Sequence, residues 1–401
     1  MGLYIFFSHD CPVKIWGLTS QQRVQRVLKT TALSCTASEL NTLSDSDSVL
    51  ILRADYLFDD RLVKYLAAAP NITLQLNENE QEITVAAHVP AHHAQQALNA
   101  IEGNGIADSL PGVQNQALTT MAISFQEKLL KFEPPFVLPI TADRQVELEQ
   151  RLFDWSYKGI TDLVTKWIWP HPACWVVRQC VNLHIRPNHV TLIGLFLVIF
   201  AGIFFAYGQY GWGLLAGWLM TFLDTVDGKL ARVTVTSSKF GHYFDHIIDL
   251  AHPPIWYILW GLGLSNGQVE SLGFPLNTLF YLIFIGYIAG RLVEGSFQVF
   301  LGRFGIFCWQ PIDSYFRLIT ARRNPNMIFL TLSYLIGRPD LGLLAVVFWT
   351  VATTIFLLLR LILAFFIRSS QGPLSSWLSD ANQPRYDKSL AVRLFTKHIT
   401  G

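Results

Sequence analysis

The chain has 401 residues, a net charge of +1, 51% apolar residues and only 15% charged residues. Soluble domains carry about 25% charged residues, so this composition excludes disordered, collagen-like and coiled-coil proteins and disfavours an ordinary soluble enzyme. The balanced charge predicts no nucleic-acid partner, and the five scattered cysteines (Cys11, Cys35, Cys174, Cys180 and Cys308) fit neither a disulfide framework nor a zinc site.

The first part of the chain, residues 1–140, has the patterns of a soluble α/β domain. Short apolar runs at 48–53 and 72–76 predict strands, and residues 62–69 and 95–101 have the spacing of helices. The chain starts with no basic segment and no cleavage site, so we expect no signal peptide.

Residues 145–186 carry apolar and aromatic side chains at helical spacing, interleaved with Lys158 and Lys166. This tryptophan-rich pattern predicts amphipathic juxtamembrane helices in the membrane interface, broken at Pro170 and Pro172. The alternative is a soluble helix that packs on the first domain. The apolar positions are Leu148, Leu152, Trp155, Ile160, Leu163, Trp167 and Trp169.

Residues 187–367 are the most apolar part of the chain, and the stretch 190–223 contains no charged residue and no histidine. Crossing about 30 Å of hydrocarbon takes roughly 20 residues, so we predict an all-α six-helix transmembrane bundle. A breaker cluster at 208–211 turns the first pair into a hairpin. The predicted spans are 189–207, 211–231, 241–263, 274–300, 325–338 and 341–367.

The distribution of lysine and arginine predicts the orientation of these spans. Basic residues concentrate at 229–240, at 301–324 and in the predicted cytoplasmic tail, 368–401, whereas the opposite turns hold only Arg338. The positive-inside rule then puts both termini in the cytoplasm, and six spans agree with that parity. We therefore expect an integral membrane protein, of the kind found in a bacterial inner membrane.

Four aspartates surround the connection between the second and third predicted spans. Asp224 and Asp227 are three residues apart, and Asp245 and Asp249 are four apart, so each pair shares one helix face. Carboxylates near membrane depth are costly and repel one another unless cations neutralise them. Oxygen ligands suit a hard divalent ion such as Mg²⁺, and four carboxylates could hold two ions.

Small residues and one arginine complete this acidic pattern. Gly228, Ala231 and Gly241 remove bulk where helices or a ligand approach closely. Arg232 is a fixed cation that can pair with a carboxylate or bind a phosphate with two hydrogen bonds.

The complete pattern, Asp-x2-Asp-Gly-x2-Ala-Arg-x8-Gly-x3-Asp-x3-Asp, runs from Asp224 to Asp249 and resembles the motif of the CDP-alcohol phosphatidyltransferase family. All eight fixed positions are present at the family's spacing, across a predicted membrane hairpin. The resemblance extends over roughly 186–367, and Pro187, Asn188 and Thr191 are similar to the family's entry into its first helix.

The resemblance implies a metal-dependent transfer in which an acceptor alcohol attacks a CDP-alcohol and CMP leaves, with two ions of Mg²⁺ or Mn²⁺ as cofactor. It implies metal binding by Asp224, Asp227, Asp245 and Asp249, with Asp249 as the catalytic base. It also implies a homodimer. The implied substrate-binding residues are Asp224, Gly228, Ala231, Arg232, Gly241, Asn188 and Thr191.

Other interpretations remain open at this stage. The four aspartates could form the ion site of a divalent-cation transporter, although such a site does not require the glycine, alanine and arginine framework. The chain could also be a membrane scaffold with an inactive catalytic half. Residues 49–60 resemble the strand and metal-binding Asp55 of a nucleotidyltransferase-like domain, but the activating glycine-rich loop is missing, which predicts a degenerate domain.

Overall fold

A computed structural model describes residues 2–29, 31–40, 42–78, 81–103, 111–121, 125–126, 129–237, 239–386 and 389–396. At 239–242 and 244–246 it describes the backbone alone. The chain divides into two compact units. The first contains residues 1–126, 133–156 and 233–236, and the second contains residues 127–132, 157–232 and 237–401.

A mixed six-stranded sheet forms the centre of the first unit, in the order β2-β1-β3-β6-β5-β7. Strand β1 is parallel to β2 and β3, β6 is antiparallel to β3 and β5, and β7 is parallel to β5. The strands are β1 (Leu3–Ser8), β2 (Leu33–Ser34), β3 (Ser48–Arg53), β4 (Tyr56–Phe58), β5 (Ile72–Glu78), β6 (Gln81–Pro90), β7 (Gln114–Gln116), β8 (Phe125–Gln126), β9 (Lys131–Phe132) and β10 (Val137–Pro139).

Helices cover the sheet of the first unit and bury its apolar strands. Residues 49–52 of β3 are fully buried, as expected of a central strand with a continuous apolar run. The predicted strands at 48–53 and 72–76 and helices at 62–69 and 95–101 are confirmed. The helices are α1 (Ser20–Leu28), α2 (Ala37–Leu40), α3 (Asp60–Ala68), α4 (Ala94–Ile101), α5 (Leu118–Met121) and α6 (Gln145–Trp155).

Asp55 follows β3 and forms an ion pair with Arg53, whose Nη2 lies 2.6 Å from Asp55 Oδ2. The carboxylate is thus neutralised by a side chain of its own turn. The resemblance of this unit to a nucleotidyltransferase-like domain stays a prediction.

His88 is a buried titratable group in the core of the first unit. Its Nδ1 donates to the Leu66 carbonyl at 2.6 Å, and its Nε2 lies 3.0 Å from the Ser48 hydroxyl oxygen, which fixes the neutral ring. Burial lowers the pKa of His88 below its ordinary value of 6.5, and the hydrogen bond to Leu66 opposes only part of that effect.

Acid is therefore expected to destabilise the first unit. Below pH 6.5 the unfolded chain binds a proton at His88 that the folded chain does not, so the free energy of unfolding falls as the pH falls. Amide exchange in β5 and β6, corrected for its intrinsic pH dependence, measures this loss. His88→Gln should remove the pH-dependent part and the exposed His92→Gln should not; the same pH dependence in both variants would contradict the assignment.

The predicted amphipathic stretch is not one helix up to the prolines. Helix α6 ends at Trp155, residues 164–168 form a π-helical turn, and α7 (Pro170–Asn182) follows. The predicted break lies at Pro170, because the π-helical turn ends at Ile168 and α7 begins at Pro170, whereas Pro172 lies inside the first turn of α7. A proline in the first turn removes an N–H that has no partner in the helix, so these residues begin α7.

The chain from residue 187 onward is almost entirely helical. A turn at 207–209 joins α8 to α9, and Gly208 has a φ of +69°, as the predicted breaker cluster requires. Helix α12 continues into a π-helical segment, Phe297–Gly302. The helices are α8 (Pro187–Ala206), α9 (Tyr210–Val233), α10 (Lys239–Leu262), α11 (Asn266–Ser271), α12 (Leu276–Ser296), α13 (Pro311–Ile319), α14 (Arg323–Leu335), α15 (Pro339–Gln371) and α16 (Leu390–Phe395).

Within the described residues, three segments are long and apolar enough to cross a membrane: Pro187–Ala206, Leu276–Gly302 and Pro339–Gln371. Helices also occupy the other predicted spans, but α14 has 13 residues and reaches only about 20 Å. Helix α9 carries Asp224, Asp227 and Arg232. The second unit is thus a helical region with three candidate spans, and the six-span bundle stays a prediction.

Candidate active site

The described aspartates of the motif lie on two helices of the second unit. Asp224 and Asp227 lie one turn apart on α9, and Asp249 lies on α10. The Asp227 side chain is buried, whereas the side chains of Asp224 and Asp249 are 17% and 37% exposed. The backbone of Asp245 lies on α10 one turn before Asp249, but its side chain is outside the described residues.

Arg323 connects the carboxylates of the two helices. Its Nη2 lies 2.5 Å from Asp224 Oδ2, and its Nη1 lies 2.6 Å from Asp249 Oδ1. The arginine is the first residue of α14, so three helices meet at this point. Two carboxylates therefore face one cation, in an arrangement that the motif alone did not predict.

Asp227 has a different partner. The hydroxyl of Thr191, on α8, donates to Asp227 Oδ2 at 2.6 Å. Both residues, with Asp224 and Ile248, line one small crevice. The predicted entry residue Thr191 and the predicted ligands on α9 are thus neighbours.

A proline one helical turn after Asp249 changes the hydrogen bonding of the backbone there. Pro253 has no N–H, so the carbonyl of Asp249 cannot receive its usual helical hydrogen bond. The Tyr287 hydroxyl, on α12, donates to that carbonyl at 3.5 Å. His252, beside the proline, uses its Nδ1 to donate to the Ile248 carbonyl at 2.6 Å, which is a structural role for one of its two nitrogens.

The small residues of the motif lie on the same helices. A Cβ added to Gly228 would meet the Arg232 guanidinium at 3.1 Å, so the glycine leaves room for that side chain to fold back along α9. Ala231 is partly buried on α9, and Asn188 is exposed in the first turn of α8 without a described contact to the aspartates. Gly241 lies on the part of α10 for which only the backbone is described.

The chemistry of these donors fits a hard divalent cation. Asp224 and Asp249 offer carboxylate oxygens, and the Arg323 guanidinium between them shows that both can face one positive charge. Among the described side chains, no three His, Cys, Asp or Glu residues converge on one point. Three helices thus bring two carboxylates together around one guanidinium.

A group of basic side chains, Lys158, Arg317 and Arg322, lies near the acidic residues and is called the basic rim below. The guanidinium carbons of Arg317 and Arg322 each lie 5.5 Å from the Phe307 ring centre. Arg322 also forms an ion pair with Glu294, and Arg317 Nη1 is buried without a hydrogen-bond partner in the described structure.

Lys158 belongs to the rim because of its electrostatic neighbours. Its side chain is exposed, yet surrounding protein atoms lower its pKa, and Arg232, Arg317 and Arg322 lower it further, while Asp224 opposes this. Nothing in the sequence indicates this role for Lys158, which we predicted only as a basic residue interleaved in an amphipathic helix. Like charges gathered in one crevice favour an anionic ligand.

The helices that carry the motif lie in a segment that matches a known protein family. Residues 184–304 match the protein-family model described as CDP-alcohol phosphatidyltransferase. The match includes α8, α9 and α10 and therefore every residue of the motif. The chain thus contains a CDP-alcohol phosphatidyltransferase domain, as the motif predicts.

Several curated relatives match parts of the chain. The chain is 30% identical over 130 residues to phosphatidylinositol phosphate synthase of Streptomyces avermitilis, covering 26% of this chain and 52% of that protein. It is 40% identical over 93 residues to archaetidylinositol phosphate synthase of Pyrococcus horikoshii, covering 22% and 46%. It is 30% identical over 183 residues to cholinephosphotransferase 1 of Xenopus laevis, covering 40% and 43%. The chain spans about half the length of these curated relatives.

Proposed function

We propose that this protein is an integral membrane phosphotransferase of phospholipid synthesis. It moves a substituted phosphate from a CDP-alcohol to an acceptor alcohol and releases CMP. The observation that carries the proposal is the convergence of Asp224 and Asp249, both motif residues, on one cation within the matched segment. In the transfer, the acceptor oxygen bonds to the β-phosphorus, and the bond from that phosphorus to CMP breaks.

Divalent cations are the proposed cofactor. Asp224, Asp227, Asp245 and Asp249 would hold them, with Mg²⁺ or Mn²⁺ as the ion and two ions as the number. Bound there, such ions neutralise the charge of the pyrophosphate and of the leaving CMP. The carboxylate chemistry of the described aspartates supports the choice of hard ions.

Asp249 is the proposed general base. Its side chain is the most exposed of the three described carboxylates, so an acceptor hydroxyl can approach it. It accepts the proton of that hydroxyl as the oxygen attacks phosphorus.

The donor is proposed to lie along α9. Asp224 and Gly228 would lie beside the cytidine diphosphate, Ala231 leaves room for the nucleotide, and Arg232 faces the phosphates. Asn188, Thr191 and Gly241 complete the proposed substrate contacts. The basic rim lies close enough to Asp224 to bind the charge of a donor diphosphate or of an acceptor phosphate. The acceptor would be an inositol phosphate, a glycerol phosphate, serine or another alcohol.

We further propose that the site works at the cytoplasmic face of a bacterial inner membrane, with both termini in the cytoplasm and a homodimer as the assembly. Three helices that can span a membrane and the family match support a membrane location. The first unit would be a non-catalytic domain that regulates or positions the second.

A release assay tests the proposal. Purified protein with a labelled CDP-alcohol, a set of acceptor alcohols and Mg²⁺ should release CMP, and chelation of the metal should stop the release. Asp224→Asn, which removes one carboxylate from the site, is the inactive control. Divalent-cation uptake into liposomes without any consumption of a CDP-alcohol would instead support the transporter.

A further inference from the structure

We propose that Arg323 is a counter-ion for the acidic site. Its guanidinium lies between Asp224 and Asp249 when no metal ion is bound, and it competes with divalent cations for that position. The inference rests on the proposed function in one respect, because it assumes that these carboxylates bind a metal ion. The proposal adds Arg323, a residue outside the motif, as the group that sets how strongly the carboxylates bind the metal ion.

The geometry makes Arg323 a direct competitor. Each terminal nitrogen is committed to one carboxylate, at 2.5 Å for Asp224 and 2.6 Å for Asp249. A metal ion bound by these two residues needs the same oxygen atoms. A guanidinium and a divalent cation cannot both occupy the space between them, since the two positive charges would also repel each other.

Electrostatics explains why such a counter-ion is useful. Asp224 and Asp249 come from different helices, and without a cation their negative charges would push α9 and α10 apart. Charged groups with little exposure are tolerated when they are paired, and all three side chains are at most 37% exposed. Arg323 therefore keeps the two carboxylates facing each other until a metal ion replaces it.

A third carboxylate, that of Asp162, interacts electrostatically with Arg323 and offers a place for the displaced guanidinium. The next residue, Asn324, donates to Asp162 Oδ1 at 2.9 Å. Arg323 Nε is buried without a hydrogen-bond partner among the described groups, so the side chain has a donor to spare for a new position.

Competition predicts the sign of a mutational effect. Metal binds only the fraction of molecules in which Arg323 has left the carboxylates, so the apparent affinity is reduced by that fraction. Removing the guanidinium should therefore strengthen metal binding. If Arg323 instead supported bound metal or its ligands, removing it would weaken metal binding.

The test uses the full-length protein in detergent, with Mn²⁺ as the probe and free Mn²⁺ measured by electron paramagnetic resonance. Arg323→Met should lower the apparent dissociation constant for Mn²⁺ by at least about fivefold, the low end of couplings between binding events. It should also melt at a lower temperature without metal and gain more from added Mn²⁺ than the wild-type protein. Arg323→Gln is the second variant, in case the methionine variant does not fold.

Arg322→Met is the matched control, because it removes a positive charge one residue away that pairs with Glu294 instead. A distant charge effect would change Mn²⁺ binding equally in both variants, and that result would overturn the proposal. Unchanged or weaker binding by Arg323→Met would overturn it as well, while leaving the metal site of the proposed function intact. If neither the wild-type protein nor any variant bound Mn²⁺, the metal site would fail and the competition with it.

Discussion

Replacing Asp249 by asparagine is expected to lower the rate of CMP release by about 10²–10⁴-fold, the usual contribution of a general base. Asparagine has nearly the same size but cannot take the proton of the acceptor hydroxyl. Asp224 and Asp227 remain in place on α9, so metal-dependent binding of the nucleotide should persist. The variant therefore separates the loss of turnover from the loss of donor binding.

The measurement pairs the release assay with nucleotide binding in the same preparation. Glu270→Gln is the matched control, because it makes the same change of carboxylate to amide at an exposed position on α11. Its rate should equal that of the wild-type protein. Near-normal turnover by Asp249→Asn would show that another group accepts the proton.

The acidic site could be predicted from the sequence because its residues are close along the chain. Helical spacing alone places Asp224 and Asp227 on one face of α9, and both are there. Thr191 was also predicted, from its similarity to the family's first helix, and its hydroxyl donates to Asp227. Each of these contacts follows from local periodicity or from a fixed motif.

Arg323 could not be predicted in the same way. It lies 99 residues from Asp224 and 74 from Asp249, so only the packing of α14 against α9 and α10 brings the three together. In the sequence it is one of several basic residues in a connection, where the positive-inside rule gives it a sufficient explanation. Lys158 was missed for a related reason, because its amphipathic pattern does not reveal its neighbours.

The break at Pro170 could be predicted, but the earlier end of α6 at Trp155 could not, and proline has opposite effects at different positions in a helix. In the interior Pro170 would remove a hydrogen bond, whereas in the first turn of α7 it removes nothing. The apolar spacing of residues 145–169 gave no indication of where one helix stops. Such boundaries depend on caps and on tertiary contacts.

The contact between the α8–α9 turn and the end of α10 predicts a large loss of stability when Gly263 becomes alanine. A Cβ at Gly263 would lie 2.0 Å from the Phe205 carbonyl oxygen and 2.8 Å from the Gly208 amide nitrogen. Both are backbone atoms, which cannot turn away as the end of a side chain can. Relief requires the turn and α10 to separate, so the free energy of unfolding should fall by about 1–3 kcal/mol or more.

Gly267→Ala is the matched control, because a Cβ there would meet nothing within 4 Å. Alanine favours a helix over glycine, so this variant should be as stable as the wild-type protein or slightly more so. Thermal unfolding of the full-length protein in detergent compares the two variants, and equal melting temperatures would contradict the close backbone contact.

The added Cβ at Gly263 would also shift α9 against α10. Displacements of about 1 Å in a catalytic site can lower the reaction rate by 10²-fold. Gly263→Ala should therefore also slow CMP release, even though Gly263 follows the last residue of α10 and Asp249 lies near the middle of that helix.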